Sequence, residues 1–281
     1  MDPITIFWLF LILASLQPVM QRRFLEISRQ RALSRLASER GSTVITLIHR
    51  QETMSLLGFP IFRHIDIDDS EGVLNAIRET PPDGSIDIVL HTPGGMVLAA
   101  SQIAEALAEH QGPVRAFVPH YAMSGGTLIA LAADEIHVDP HAALGPVDPQ
   151  LGGYPAASIL AAVEQAKEPE DKTLILADIS RKALRQVEDF VTGLLERIME
   201  PERARKVAHT LSSGVWTHDH PLTPRDLKEL GLPVRVGVPG EIHALMRLYP
   251  QPRGRQSSVE YVPSRPPGPA RLPGAGGRGE P

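Results

Sequence analysis

Apolar positions along this chain follow three regimes. Ile4 to Met20 (ITIFWLFLILASLQPVM) is a run without charge. It lies at the short end of what crosses ~30 Å of hydrocarbon, and Trp8 suits an interfacial position. Arg22, Arg23, Arg29, Arg31, Arg35 and Arg40 follow, against only Glu26 and Glu39, and Gly41 closes a basic helix predicted over 21–40. Then strand-like and helix-like runs alternate. Thr43–His49 (TVITLIH), Ser85–His91 (SIDIVLH), Val114–Pro119 (VRAFVP), Ile136–Val138 and Val234–Val236 read as strands. Met96–His110 has Val97, Ile103, Ala104 and Leu107 at helical spacing, and Ser124–Ala133 is a short apolar helix of small residues. Helices are also predicted at 155–166, at 171–199 (long, charged along one side, able to reach a partner subunit) and at Leu222–Leu230, with Thr217 as its cap.

Strand, turn, helix, strand in this order predicts an α/β fold with a parallel sheet and crossover helices. Strands this apolar belong to a sheet covered on both faces. The expected organisation is a transmembrane anchor at 1–20, a basic juxtamembrane helix at 21–40, a folded domain at 41–248, and a disordered Pro/Gly/Arg-rich tail at 249–281.

Composition narrows the functional classes. Cysteine is absent, which excludes disulfides, thiolate metal sites and a cysteine nucleophile. A net charge of −5 gives no global basic field for nucleic acid. The arginines that follow the apolar run predict a single-pass membrane protein with its folded domain in the cytoplasm.

Two glycine-rich turns carry the chemistry. HTPGG at 91–95 and YAMSGGT at 121–127 each follow a strand and open a helix. Both fall at the C-terminal edge of a parallel sheet, where ligands bind. Each can present backbone N–H groups to developing negative charge, and Ser124 stands at the start of the second helix, a sound place for a nucleophile. Thr217-His218-Asp219-His220 and the run Asp66, Asp68, Asp69 and Glu71 lack the spacing of a zinc or calcium site; the first reads as a structural or solvated turn, the second as a solvated turn. No metal and no cofactor is expected.

The blocks IDIVLHTPGG, FVPHYAMSGGTLIALAADEIHVDPHAALGPVDPQLG and SGVWTHDHPLTPRDLKELGL resemble the ClpP/crotonase superfamily, in its SppA-like branch. YPAASIL and DPQLG narrow the likeness to the serine dehydrogenase proteinase family, membrane-associated ClpP-class serine peptidases, over residues 42–245. The resemblance implies a serine endopeptidase acting on peptides or proteins, with Ser124 as nucleophile and Gly95 and Gly125 as oxyanion-hole donors. It also suggests a homo-oligomer. The histidine that ClpP-like peptidases place after the serine would fall near Pro149, where this sequence has none; His137 and His141 are the nearest. SppA-like peptidases use a lysine instead, and Lys167, Lys172 and Lys182 lie in the matching window. A lysine base must be neutral, which favours Lys172, at a predicted helix start, over the second choice Lys182. The alternatives are a crotonase-type acyl-CoA enzyme, or a non-catalytic membrane scaffold of the same fold.

Overall fold

The computed structural model of the chain describes residues 2–50 and 63–249; within the first helix the side chains of 3–6, 9–15, 18–19 and 21–22 also fall outside the description. The elements run α1 (Pro3–Arg40), β1 (Ser42–Ile48), α2 (Ile67–Glu79), β2 (Ser85–His91), α3 (Val97–Glu109), β3 (Val114–Val118), β4 (Tyr121–Ala122), α4 (Gly125–Leu131) and β5 (Glu135–Val138). They continue with β6 (Ala143–Leu144), β7 (Gln150–Leu151), β8 (Tyr154–Pro155), α5 (Ala156–Gln165), α6 (Asp171–Leu195), α7 (Pro201–Ser212), α8 (Pro224–Glu229), β9 (Val234–Val236) and α9 (Gly240–Met246).

Five strands form one sheet in the order β1-β2-β3-β5-β9, and every pair is parallel. The order advances in one direction, so same-handed crossovers stack their helices on one face. Side-chain alternation divides the core accordingly. Ile45, Leu47, Ile86, Ile88, Leu90, Ala116 and Val118 pack with α3, α4, α6 and α7. Val89 and Phe117 point the other way, to Leu36 of α1 and to Ile242, Leu245 and Met246 of α9. Asp87 is a buried carboxylate on that second face; Arg40 and Arg115 pair with it and Ser42 donates to it at 2.9 Å. A lone charge there would be expensive, so this cluster fixes the end of α1 against the sheet.

Several expectations need correction. Residues 3–40 form one continuous helix of 38 residues, about 57 Å at ~1.5 Å per residue, so the segments expected at 1–20 and 21–40 share a single helix. Among the described residues no helix is long and apolar enough to cross a membrane; most side chains of the 4–20 run fall outside the description. The acidic run Asp66–Glu71 opens α2 instead of forming a solvated turn: Asp66 and Asp69 make a reciprocal capping box. α7 and α9 were not anticipated, and α8 is capped by Thr223, not Thr217. The tail expected from 249 falls outside the described residues except for Tyr249. That residue is anchored, with its hydroxyl 3.1 Å from Thr46 Oγ1 and Arg29 stacked 4.2 Å over its ring.

Candidate active site

Three loops meet at the C-terminal edge of the sheet. The first follows β2. Thr92 pairs with Ala122 across a parallel bridge, through Thr92 N–H to Tyr121 O (3.3 Å) and Met123 N–H to Thr92 O (3.0 Å). The two glycine-rich turns are therefore stitched together. Ile65 pairs with Gly95: Ile65 N–H donates to Gly94 O and Met96 N–H donates to Ile65 O, both at 2.8 Å. These bonds occupy the groups flanking Gly95, so its own N–H points the opposite way, into the cleft. The backbone of Ile65 also explains the glycine, because a Cβ on Gly95 would lie 2.3 Å from Ile65 N and O.

Behind this turn runs a chain of side chains. Asp69 contacts His49 Nε2 at 3.1 Å, His49 Nδ1 lies 2.9 Å from Thr92 Oγ1, and Thr92 Oγ1 accepts from Gly94 N–H at 3.1 Å. Burial holds the pKa of His49 below its ordinary value, against the pull of Asp69. A neutral ring can accept from Thr92 at Nδ1 while donating to Asp69 at Nε2.

The second loop carries Ser124. It is the described non-glycine residue with positive φ (50°, with ψ −115°), directly before α4. Such a conformation costs ~1–3 kcal/mol and persists where its surroundings over-determine it. The packing around it is tight: a Cβ on Gly94 would meet Ser124 Cβ at 2.8 Å. The turn presents Ser124 at the cleft with Gly125 N–H as the first amide of the helix. Among the described residues neither Gly95 N–H nor Gly125 N–H has an acceptor. The two amides are neighbours, since the Cβ position of Gly125 lies 3.6 Å from Gly95 N.

The third loop was missed by the sequence reading. Thr127 Oγ1 donates to Ala122 O or Gly145 O (both 2.9 Å) and accepts from Gly145 N–H at 3.1 Å, tying the segment after β6 to α4. Leu144 and Leu222 exchange backbone bonds of 3.1 and 2.8 Å, which draws the 217–220 turn alongside. These ties bring His218 to Asp148, with Nδ1 2.8 Å from Oδ1. Asp148 is fully buried at its side chain and also accepts from Gln150 Nε2 at 2.7 Å. The hydrogen bond to Asp148 leads in raising the pKa of His218, against partial burial. Of the two readings of the THDH turn, structural or solvated, the structure has the first: its first histidine is held by a buried carboxylate. The DPQLG motif was the sequence signal available for Asp148, a carboxylate among apolar neighbours; no local signal joined it to a histidine seventy positions on.

Ser124, Gly95, Gly125, Asp148 and His218 line one cleft of about 720 Å³, with Ile65, Pro93, Val97, Leu128, Pro149 and Val187 among its walls. Neither Lys172 nor Lys182 lines it. Lys172 is exposed in the first turn of α6, and Lys182 is exposed and paired with Asp178 of the same helix at 2.5 Å. Within one chain the structure does not bring either lysine to Ser124.

A parallel α/β domain with a strained serine at a helix start, beside two free amides, defines a ClpP-like serine proteinase fold. The family model for ClpP-like SDH-type serine proteinases matches residues 2–271, and the chain belongs to that family. It is 51% identical over 271 residues to the uncharacterized protein MJ0137 of Methanocaldococcus jannaschii, covering 94% of this chain and 95% of the relative. A second uncharacterized protein of that organism, MJ1495, is 51% identical over 258 residues, covering 92% of this chain and 88% of the relative. The membrane protein NfeD1b of Bacillus subtilis is 25% identical over 147 residues, 52% of this chain but 31% of its own length. Among solved structures, the 1510-N membrane-bound stomatin-specific protease in complex with a substrate peptide superposes with a TM-score of 0.47 at 21% identity, covering 71% of this chain and 76% of that one.

Proposed function

We propose that this protein is a serine peptidase in which Ser124 is the nucleophile, His218 the general base, and Asp148 the carboxylate that orients it. The observation carrying this reading is the convergence of Ser124, the Asp148-bound His218 and two acceptor-free amides in one cleft. Ser124 Oγ attacks the scissile carbonyl while His218 Nε2 takes its proton. Asp148 stays ionised and holds Nδ1–H, which fixes the tautomer and stabilises the imidazolium. The carbonyl oxygen, now negative, lies between Gly95 N–H and Gly125 N–H. His218 returns the proton to the leaving amine, and water releases the acyl group by the reverse sequence. Ser124 Oγ makes no hydrogen bond among the described residues. In this mechanism His218 Nε2 has to come within hydrogen-bond reach of Oγ as substrate binds, since catalytic hydrogen bonds often form only in the complex.

The Ser124–Lys172 dyad has no comparable geometry within the chain, so a role for Lys172 would require delivery from a second copy. Exposed Leu174, Ile175 and Ile179 beside it on α6 support a homo-oligomer. The uncharged run Ile4–Met20 and the arginines after it support a membrane anchor with residues 41–248 in the cytoplasm. A fluorophosphonate probe tests the core of this reading. Labelling should map to Ser124 and vanish in Ser124→Ala while the thermal melt is retained; labelling that persists in the variant would sink the assignment.

A further inference from the structure

The turn that carries the Gly95 amide is held from behind by a chain whose hydrogen bonds run in one direction. Asp69 Oδ2 accepts from Asp66 N–H at 3.0 Å and lies 3.1 Å from His49 Nε2. A carboxylate accepts and does not donate, so the proton of a neutral His49 ring stands on Nε2 and Nδ1 is a bare acceptor. Thr92 Oγ1, 2.9 Å away, gives its proton to Nδ1 and keeps its lone pairs for Gly94 N–H at 3.1 Å. Both side chains are buried. Thr92 is also fixed through its backbone, which donates to Tyr121 O and accepts from Met123 N–H.

A second acceptor stands within reach of the same hydroxyl. Gly94 O lies 3.5 Å from Thr92 Oγ1 and accepts from Ile65 N–H at 2.8 Å. That oxygen and Gly95 N–H belong to one planar peptide group, so a pull on the oxygen turns the amide. Gly94, at φ +105°, has no side chain to resist the turn. With both ring nitrogens protonated, His49 would donate to Thr92 Oγ1, and the hydroxyl would have to swing to Gly94 O. We propose that His49 is a positioning residue: its neutral ring keeps the Thr92 hydroxyl off Gly94 O and the Gly95 amide aimed into the cleft, and its protonation withdraws that amide. The proposal rests on the peptidase reading and adds an acid-sensitive control of the same oxyanion hole. Among the described residues the charges facing His49 are Asp69 and Asp66 at the start of α2 and Arg63 before it, with the His91 ring of β2 beside them. Burial outweighs the two aspartates, Arg63 acts with it, and the ring stays neutral to below its ordinary pKa.

The test follows kcat/KM for an internally quenched peptide on the full chain over the acid range, with circular dichroism on the same samples. The base alone gives about a tenfold loss per pH unit on its acid side. Below the His49 midpoint the loss should steepen to about a hundredfold per unit, reversibly and with unchanged dichroism, because two groups must then each lose a proton. His49→Asn keeps an acceptor for Thr92 but takes up no proton, so its loss should stay near about tenfold per unit throughout. Thr92→Val removes the hydroxyl at nearly constant shape. Its kcat should fall on the order of 10- to 10²-fold with KM within about twofold, since a misaimed oxyanion donor is felt in the transition state. Thr92→Ser, which restores the hydroxyl, should recover most of that loss. A wild-type profile that never steepens, or a His49→Asn profile that steepens as the wild type does, would overturn the proposal. Should the variants fail to fold, the wild-type profile decides alone. An unsteepened profile together with fluorophosphonate labelling of Ser124 removes the role of His49 and leaves the peptidase. Absence of both cleavage and labelling removes both.

Discussion

Asp148→Asn is the sharpest perturbation of the proposed site, because it changes charge and almost nothing else. Asp148 is buried and makes two contacts, to His218 Nδ1 at 2.8 Å and Gln150 Nε2 at 2.7 Å. Asparagine keeps the shape but cannot accept at both positions, and it no longer offsets an imidazolium. The leading causes that raise the pKa of His218 come from Asp148, whereas burial lowers it. Without the carboxylate, burial prevails and the pKa should fall. The rate of peptide cleavage should fall roughly 10²- to 10⁴-fold near neutral pH, about 3 to 5 kcal/mol at ~1.36 kcal/mol per factor of ten. The pH dependence separates this role from a structural one. A general base must be neutral, so wild-type kcat/KM should rise with pH through a midpoint above ~6.5, and the variant's residual activity should have a lower midpoint. Stability follows the same linkage with the opposite sense. A raised folded-state pKa gives a contribution that is full below the unfolded value of ~6.5 and lost as pH rises through the folded value. The variant should therefore lose more stability at pH 5 than at pH 9, by an amount that solvent screening at the half-buried His218 keeps near ~1 kcal/mol. Cleavage of an internally quenched peptide from pH 5 to 9, with thermal melts over the same range, measures both. Near-wild-type activity with an unmoved midpoint would refute the pairing of His218 and Asp148 as the base.

Lys172→Ala and Lys182→Ala should each retain activity within about twofold in that assay, since neither lines the cleft; a loss matching Ser124→Ala for Lys172 would reinstate the dyad, supplied across a subunit interface. Gly95→Ala places a methyl against the Ile65 backbone and should cost ~1–3 kcal/mol in a denaturant titration as well as displacing an oxyanion donor; a fully stable and active variant would show that the hole is built elsewhere. Reporter fusions at the C-terminus should be active as cytoplasmic reporters, and activity of a reporter that folds only outside the cytoplasm would reverse the orientation.

The sequence by itself determined the sheet and the two glycine-rich turns, because both depend on near neighbours. Val-, Ile- and Leu-rich runs bounded by turns can bury both faces only as central strands, and SIDIVLH and VRAFVP became β2 and β3. PGG and SGG at their ends were legible because glycine and a small polar residue at a helix start carry a local backbone meaning. What brings Asp148 and His218 into the Ser124 cleft is long-range. Asp148 and His218 meet through the Thr127 and Leu144–Leu222 ties, each between segments far apart in the chain. Helical spacing could rank lysines by the pKa a helix start would give them, yet it could not show which way α6 turns them. The fold buries Ala177, Ser180 and Val187 of that helix and leaves Lys172 and Lys182 in solvent. Local propensity fixes where a residue sits on its own element; which elements meet is decided by how the apolar faces of the whole chain can be buried together.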